Sequence, residues 1–152
     1  MRLVAAASVA VLLLACSQSL SVEQQVISTL RNMEAAAENG EVFEFMSYVD
    51  KTFSAQHSSM DRREFHRFMI FQINQHRRLQ AQFLPIYVKQ AGVDKASAYF
   101  RLLITGGGGL LPESGQLFEV ETQWLKIDGD WLLESAQWEP VRLPDLPTGR
   151  NR

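Results

Sequence analysis

The stretch Gly115 to Pro140, GQLFEVETQWLKIDGDWLLESAQWEP, constrains the fold more than any other part of the sequence. At its centre is Asp128-Gly129, a pair that supplies the positive φ angles of a two-residue hairpin turn, and both flanks are rich in strand formers. On the first strand Phe118, Val120, Thr122 and Trp124 fall on one face, and Glu119, Glu121 and Gln123 on the other. A two-residue turn sets Trp124 opposite Leu133, Thr122 opposite Ser135 and Val120 opposite Gln137. The shared face is then apolar with small polar groups, which suits a core or the wall of a pocket.

The chain has 152 residues, enough for one domain with a real core. Its apolar share of 46% and charged share of 21% are ordinary for a globular protein. A net charge of -2 gives no electrostatic support to general nucleic-acid binding. Cys16 is the only cysteine, so no disulfide forms within the chain.

The N-terminus reads as an address. Met1-Arg2 is a short positive start, and Leu3 to Leu14 is an apolar run suited to a signal peptide and too short to span a bilayer. The run closes on Leu13-Leu14-Ala15-Cys16, which resembles the lipobox of bacterial lipoproteins. That resemblance implies removal of residues 1–15 and transfer of a diacylglyceryl group to the Cys16 thiol, with acylation of the new amino terminus. Several acyl chains, at about 0.8 kcal/mol per buried CH₂, hold a protein firmly to a membrane. The sorting rules of such lipoproteins in two-membrane bacteria favour the outer membrane where Ser17, rather than Asp, follows the cysteine. The expected place is the periplasmic face of that membrane, with residues 16–21 as a lipidated tether.

Beyond the tether, Ser21 and Gln24 form a capping-box pattern, followed by Val26, Leu30, Met33 and Ala37 at helical spacing. Asn39-Gly40 stops this helix. Val42 to Val49 predicts a second, short helix, and Asp50 to Gln56 a short extended segment. A third helix is expected from a cap at Ser58 or Ser59, with Phe65, Phe68, Met69, Gln72 and Ile73 as its buried stripe. Strands follow at Gln80 to Gln90, where Pro85 suggests an edge or bulge, and at Ala96 to Thr105. Gly106 to Ser114 reads as a loop before the hairpin, and residues 141–152, with Pro144 and Pro147, as a flexible tail. The expected fold class is α+β: N-terminal helices packed on a curved antiparallel sheet of four to five strands, leaving a cone-shaped cavity.

This order, with the phrases ENGEVFEFMSYVD, SSMDRREFHRFM, ITGGGGLLPESGQLFEVETQW and DGDWLLESAQWEP, resembles the nuclear transport factor 2 (NTF2)-like superfamily, also described as cystatin-like or SnoaL-like. It is most similar to small bacterial lipoproteins of that group, over residues 22–140. The resemblance implies a conical domain, frequent homodimers through the outer sheet face, and an internal pocket. The superfamily holds isomerases, dehydratases and cyclases beside pure binding domains, and fold alone does not choose among them.

Ketosteroid isomerase-like members place an aspartate base eight residues after a tyrosine that resembles Tyr48, and here that position is Gln56, which cannot take a proton. Their oxyanion-binding tyrosine lies seven residues before a glycine like Gly40, and here that position is Met33. An enzyme alternative remains in His57 as base, helped by Asp61 or Tyr48. His57, His66 and His76 are too widely spaced for a helical metal pair, so no metal and no cofactor is expected. Gly106 to Gly109 lacks the Lys-Ser/Thr of a phosphate loop, and no nucleophile elbow is present. Arg62, Arg63, Arg67, Arg77 and Arg78 outweigh the acids around the third helix and suit a solvated face, an anionic lipid surface or an acidic partner. Tyr99, Thr122, Trp124, Ser135 and Gln137 are the residues expected to line a ligand cavity.

The reading is therefore a lipid-anchored, non-catalytic envelope domain that binds a small apolar ligand or a protein partner. Two alternatives stand beside it: a pocket enzyme of isomerase, dehydratase or cyclase type using His57, and a ligand-free envelope scaffold working through its sheet face.

Overall fold

The computed structural model describes residues 19–75, 80–106 and 114–141, and all statements below concern those residues. The expected signal peptide, Cys16, most of the Gly106 to Ser114 segment, His76, Arg77, Arg78 and residues 142–152 lie outside them.

Helix α1 spans Val22–Glu38. Ser21 accepts from the Gln24 amide, while the Gln24 side chain accepts from the Ser21 amide, so the expected capping box is present. Asn39 closes the helix, and Gly40 takes φ +77°, a left-handed value that any Cβ would oppose. Val26, Leu30, Met33 and Ala37 form its buried stripe. Short α2, Val42–Ser47, turns the chain into strand β1, Val49–Ala55. A two-residue strand β2, Met60–Asp61, leads into α3, Arg62–Gln75.

The cap of α3 differs from expectation. Asp61, not Ser58 or Ser59, holds the helix start: its Oδ1 accepts from the Glu64 amide at 2.8 Å and Glu64 Oε2 accepts from the Asp61 amide at 2.9 Å. The serines are spent in the turn before it, where Gln56, His57 and Ser58 all take positive φ.

Strands β3 (Gln80–Phe83), β4 (Tyr87–Gln90), β5 (Lys95–Gly106), β6 (Ser114–Ile127) and β7 (Asp130–Pro140) complete the chain. The sheet runs β2-β1-β7-β6-β5-β3, with β4 also on β5. It is open and holds seven strands among the described residues, more than the four to five expected. Two differences have physical causes. Pro85 splits the expected strand into β3 and β4, since it lacks an amide for the ladder. The segment before α3 also joins the sheet, and β1 pairs with β7 in parallel, which makes the sheet mixed rather than purely antiparallel.

The β6–β7 hairpin turns at Asp128-Gly129 with φ of 52° and 94°, the two left-handed values expected of a two-residue turn. Trp124 lies opposite Leu133 as expected, but Gln123 pairs with Ser135, so Glu134 is an inserted bulge residue. Beyond it every partner shifts by one: Thr122 faces Ala136 and Val120 faces Trp138.

Candidate functional site

The inner face of the sheet is where a pocket was expected, and among the described residues it is packed around Trp124. Val26, Leu30 and Met33 of α1 meet Phe100, Val120, Trp124 and Leu133 in one buried cluster. Trp124 is 0% exposed. Its strand partner on β5 is Ala96, and Thr122 faces Ala98, so small residues on one strand leave space for the indole on the next. Trp124 Nε1 donates to Thr122 Oγ1 at 2.8 Å, and Thr122 Oγ1 donates to the Ala98 carbonyl at 3.2 Å. Both polar groups are thereby satisfied inside the core, and neither is free for a ligand. At the α3 end, Phe65 packs on Phe53 with ring centroids 4.6 Å apart, and Phe68 stacks on Trp138 at 5.7 Å.

Three of the five expected pocket residues are not inside. Tyr99 is 44% exposed and stands on the outer face beside Tyr87 of β4. The Glu134 bulge turns Ser135 and Gln137 away from Thr122, because one extra residue flips every later side chain to the other face. Thr122 and Trp124 do face inward, as core.

The turn after β1 carries His57, the catalytic candidate of the enzyme alternative. The Gln56 side chain mimics a strand: its Nε2 donates to the Trp138 carbonyl at 3.1 Å, and its Oε1 accepts from the Trp138 amide at 3.1 Å. The residue at the expected base position is thus a structural bridge to β7. His57 is exposed, and among the described residues its hydrogen bond is that of its backbone amide, which donates to Gln137 Oε1 at 2.8 Å. Asp61 is committed to the α3 cap. Tyr48 donates to Glu44 Oε1 at 2.8 Å, and this bond to a carboxylate, then burial, then the Glu44 charge, raise its pKa. Structure therefore does not bring His57, Asp61 and Tyr48 together through any hydrogen bond.

Of the arginines, Arg62 is a second cap. Its guanidinium donates to Met46 O at 3.0 Å, a carbonyl in the last turn of α2, and to Val49 O at 3.3 Å, at the start of β1. Arg63 and Arg67 are exposed on α3. Arg77 and Arg78 lie outside the described residues.

Sequence reasoning passed over Asp50, a buried carboxylate at the start of β1. Asp50 Oδ1 accepts from the Thr52 hydroxyl at 2.5 Å and the Thr52 amide at 2.8 Å. The Thr52 hydroxyl bond, against the opposing effect of burial, holds its pKa below the ordinary carboxylate value. The Asp-x-Thr spacing was the available signal.

Among the described residues are two surface grooves. One of about 370 Å³ lies between α2 and α3, with Phe43, His66 and Ile70 on its walls. The other, of about 540 Å³, borders Glu119, Glu139, Pro140 and Val141. Neither is lined by Trp124, Thr122 or His57. Among the described residues no three His, Cys, Asp or Glu side chains gather as metal ligands, and no helix is long and apolar enough to cross a membrane.

Solved structures place the fold. A Streptomyces avermitilis protein of the NTF2-like family, provisionally named a dehydratase, is similar at TM-score 0.66 and 20% identity over 80% of this chain and 97% of its own. A Nostoc punctiforme protein of unknown function with a cystatin-like fold is similar at TM-score 0.64 and 16% identity, over 84% and 97%. Bd1075 of Bdellovibrio bacteriovorus is similar at TM-score 0.68 and 12% identity; 80% of this chain spans only 41% of that larger protein. No protein-family model matches the chain, and no curated protein sequence does. The chain has the NTF2-like, cystatin-like fold.

Proposed function

We propose that this chain is a lipid-anchored cell-envelope domain that catalyses no reaction and acts by holding a protein partner. The observation that carries the reading is the packed inner face around Trp124, whose indole is 0% exposed and whose N–H is already bonded to Thr122. Anchoring rests on the Cys16 lipobox, and the periplasmic face of the outer membrane on Ser17. A second copy is one partner that fits: Tyr87 and Tyr99 stand exposed side by side on the outer sheet face, beside the Arg101–Glu119 ion pair at 3.0 Å.

Native mass spectrometry of the protein extracted from its own membranes tests this. The expected masses are those of the acylated polypeptide, alone or with a second chain, without a small-molecule adduct. A stoichiometric adduct that the Trp124→Ala variant loses contradicts the reading. Intact mass also reads the anchor: Cys16→Ser should yield a chain with no lipid.

The provisional dehydratase name of the Streptomyces avermitilis structure favours a second reading, a pocket enzyme with His57 as its base. It requires that His57→Ala abolish turnover of a substrate while leaving stability unchanged.

A further inference from the structure

A chain of hydrogen bonds ties the first described residues to one end of the sheet. Gln25 Nε2 donates to the Leu20 carbonyl at 2.6 Å, and Gln25 Oε1 accepts from Trp131 Nε1 at 3.0 Å and Lys126 Nζ at 3.2 Å. The Lys126 amide in turn donates to the Asp94 carbonyl at 2.9 Å. Leu20, the Gly92–Asp94 turn and the Asp128-Gly129 turn therefore share one end of the molecule. Three exposed apolar side chains belong to it: Leu20 at 56%, Val93 at 83% and Ile127 at 39%.

The outer face of α3 lies at the other end. Its exposed side carries Arg63 and Arg67 beside two comparably exposed apolar side chains, Ile70 at 39% and Phe71 at 56%, so apolar exposure alone does not separate the two ends. Along α1, 17 residues, or about 25 Å, separate the Leu20 end from Gly40, which meets Ile73 of α3. Along β7, roughly 23 Å separate Trp131 from Trp138, on which Phe68 of α3 stacks.

The geometry points to the end bearing Leu20, Val93 and Ile127 as the surface that docks on a lipid bilayer, with the arginine face of α3 turned to the aqueous side. This rests on the reading that Cys16 carries the lipid. From Cys16 to Leu20 the chain reaches at most about 14 Å, short of the distance to α3. The docking end carries Lys95 and Lys126 against Glu23, Asp94, Asp128 and Asp130, so anionic headgroups are not what holds it. Its apolar tips enter the interface instead, and the contact is insensitive to salt and to headgroup charge.

The single cysteine allows the tether to be made chemically. The mature domain beginning at Cys16 is coupled through that thiol to a maleimide lipid in phosphatidylcholine vesicles, with or without phosphatidylglycerol. Hydroxyl-radical footprinting then compares it with the domain blocked by N-ethylmaleimide in solution. Labelling at Val93 and Ile127 should fall several-fold relative to Ile70 and Phe71, in both vesicle types. Protection of Ile70 and Phe71 instead, protection only on anionic vesicles, or no protection at all overturns the proposal. In the Val93→Asp, Ile127→Asp variant the protection of Leu20 should disappear while Trp124 stays unlabelled, which separates loss of docking from loss of folding. Because coupling replaces acylation, absence of native lipid would show in the intact mass of the cellular protein and leave this result untouched.

Discussion

The indole N–H of Trp124 donates to the Thr122 hydroxyl at 2.8 Å, two residues away on the same inward face of β6. That hydroxyl in turn donates a hydrogen bond to the Ala98 carbonyl on β5, so a single threonine satisfies the most buried aromatic of the described core. Thr122→Val keeps the shape and removes the acceptor, leaving the indole N–H buried and unpaired. The expected cost is about 1–3 kcal/mol, read as a lower denaturant midpoint at unchanged slope. Thr122→Ser, which keeps the hydroxyl, should lose less.

The hairpin, the helix stripe of α1 and its capping box were legible in the sequence, because each is set by neighbours close along the chain. Asp128-Gly129 dictates its own φ angles, and Ser21 and Gln24 need only each other. What the sequence hid was non-local. The Glu134 bulge, which decides that Ser135 and Gln137 face out, carries no composition signal, and one slipped residue reverses a whole strand. The parallel pairing of β1 with β7 likewise depends on where α3 folds back. Val141, read as the start of the tail, donates its amide to the Leu117 carbonyl at 2.8 Å and extends the ladder by one residue.

His57 sits at φ 56° between two other left-handed residues. A non-glycine residue there carries backbone strain. His57→Gly should stabilise the domain by a few tenths to about 1 kcal/mol by thermal melting, since glycine relieves the strain but adds freedom to the unfolded chain. By contrast, Gln56→Ala breaks both bonds to Trp138 and should cost about 1–2 kcal/mol.

Gln25 is the joint between α1 and the hairpin. Gln25→Ala removes the acceptor shared by Trp131 and Lys126 and frees Leu20. The expected loss is about 1–2 kcal/mol, with faster amide exchange at the first turn of α1 and no change in the amides of β5.

Asp50 gives the domain an acid-side pH dependence. Its folded pKa is depressed by the Thr52 bonds, so the folded state holds fewer protons than the unfolded chain in this range. The stability it supplies is fully present above the unfolded value of about 3.9 and is lost as pH falls through the folded pKa. Asp50→Asn should flatten that part of the stability curve, measured by urea denaturation across acidic pH. An equal slope in both proteins would show that other groups govern it.

The most direct measurement of the packing around Trp124 follows its indole N–H by two-dimensional NMR while small apolar molecules and lipid extract are titrated in. The wild-type resonance should hold its position, with the bond to Thr122 undisturbed, and Trp124→Ala should open a cavity that binds such molecules saturably. A saturable shift of that resonance in the wild-type protein would mean that the cone is open, and would contradict the account.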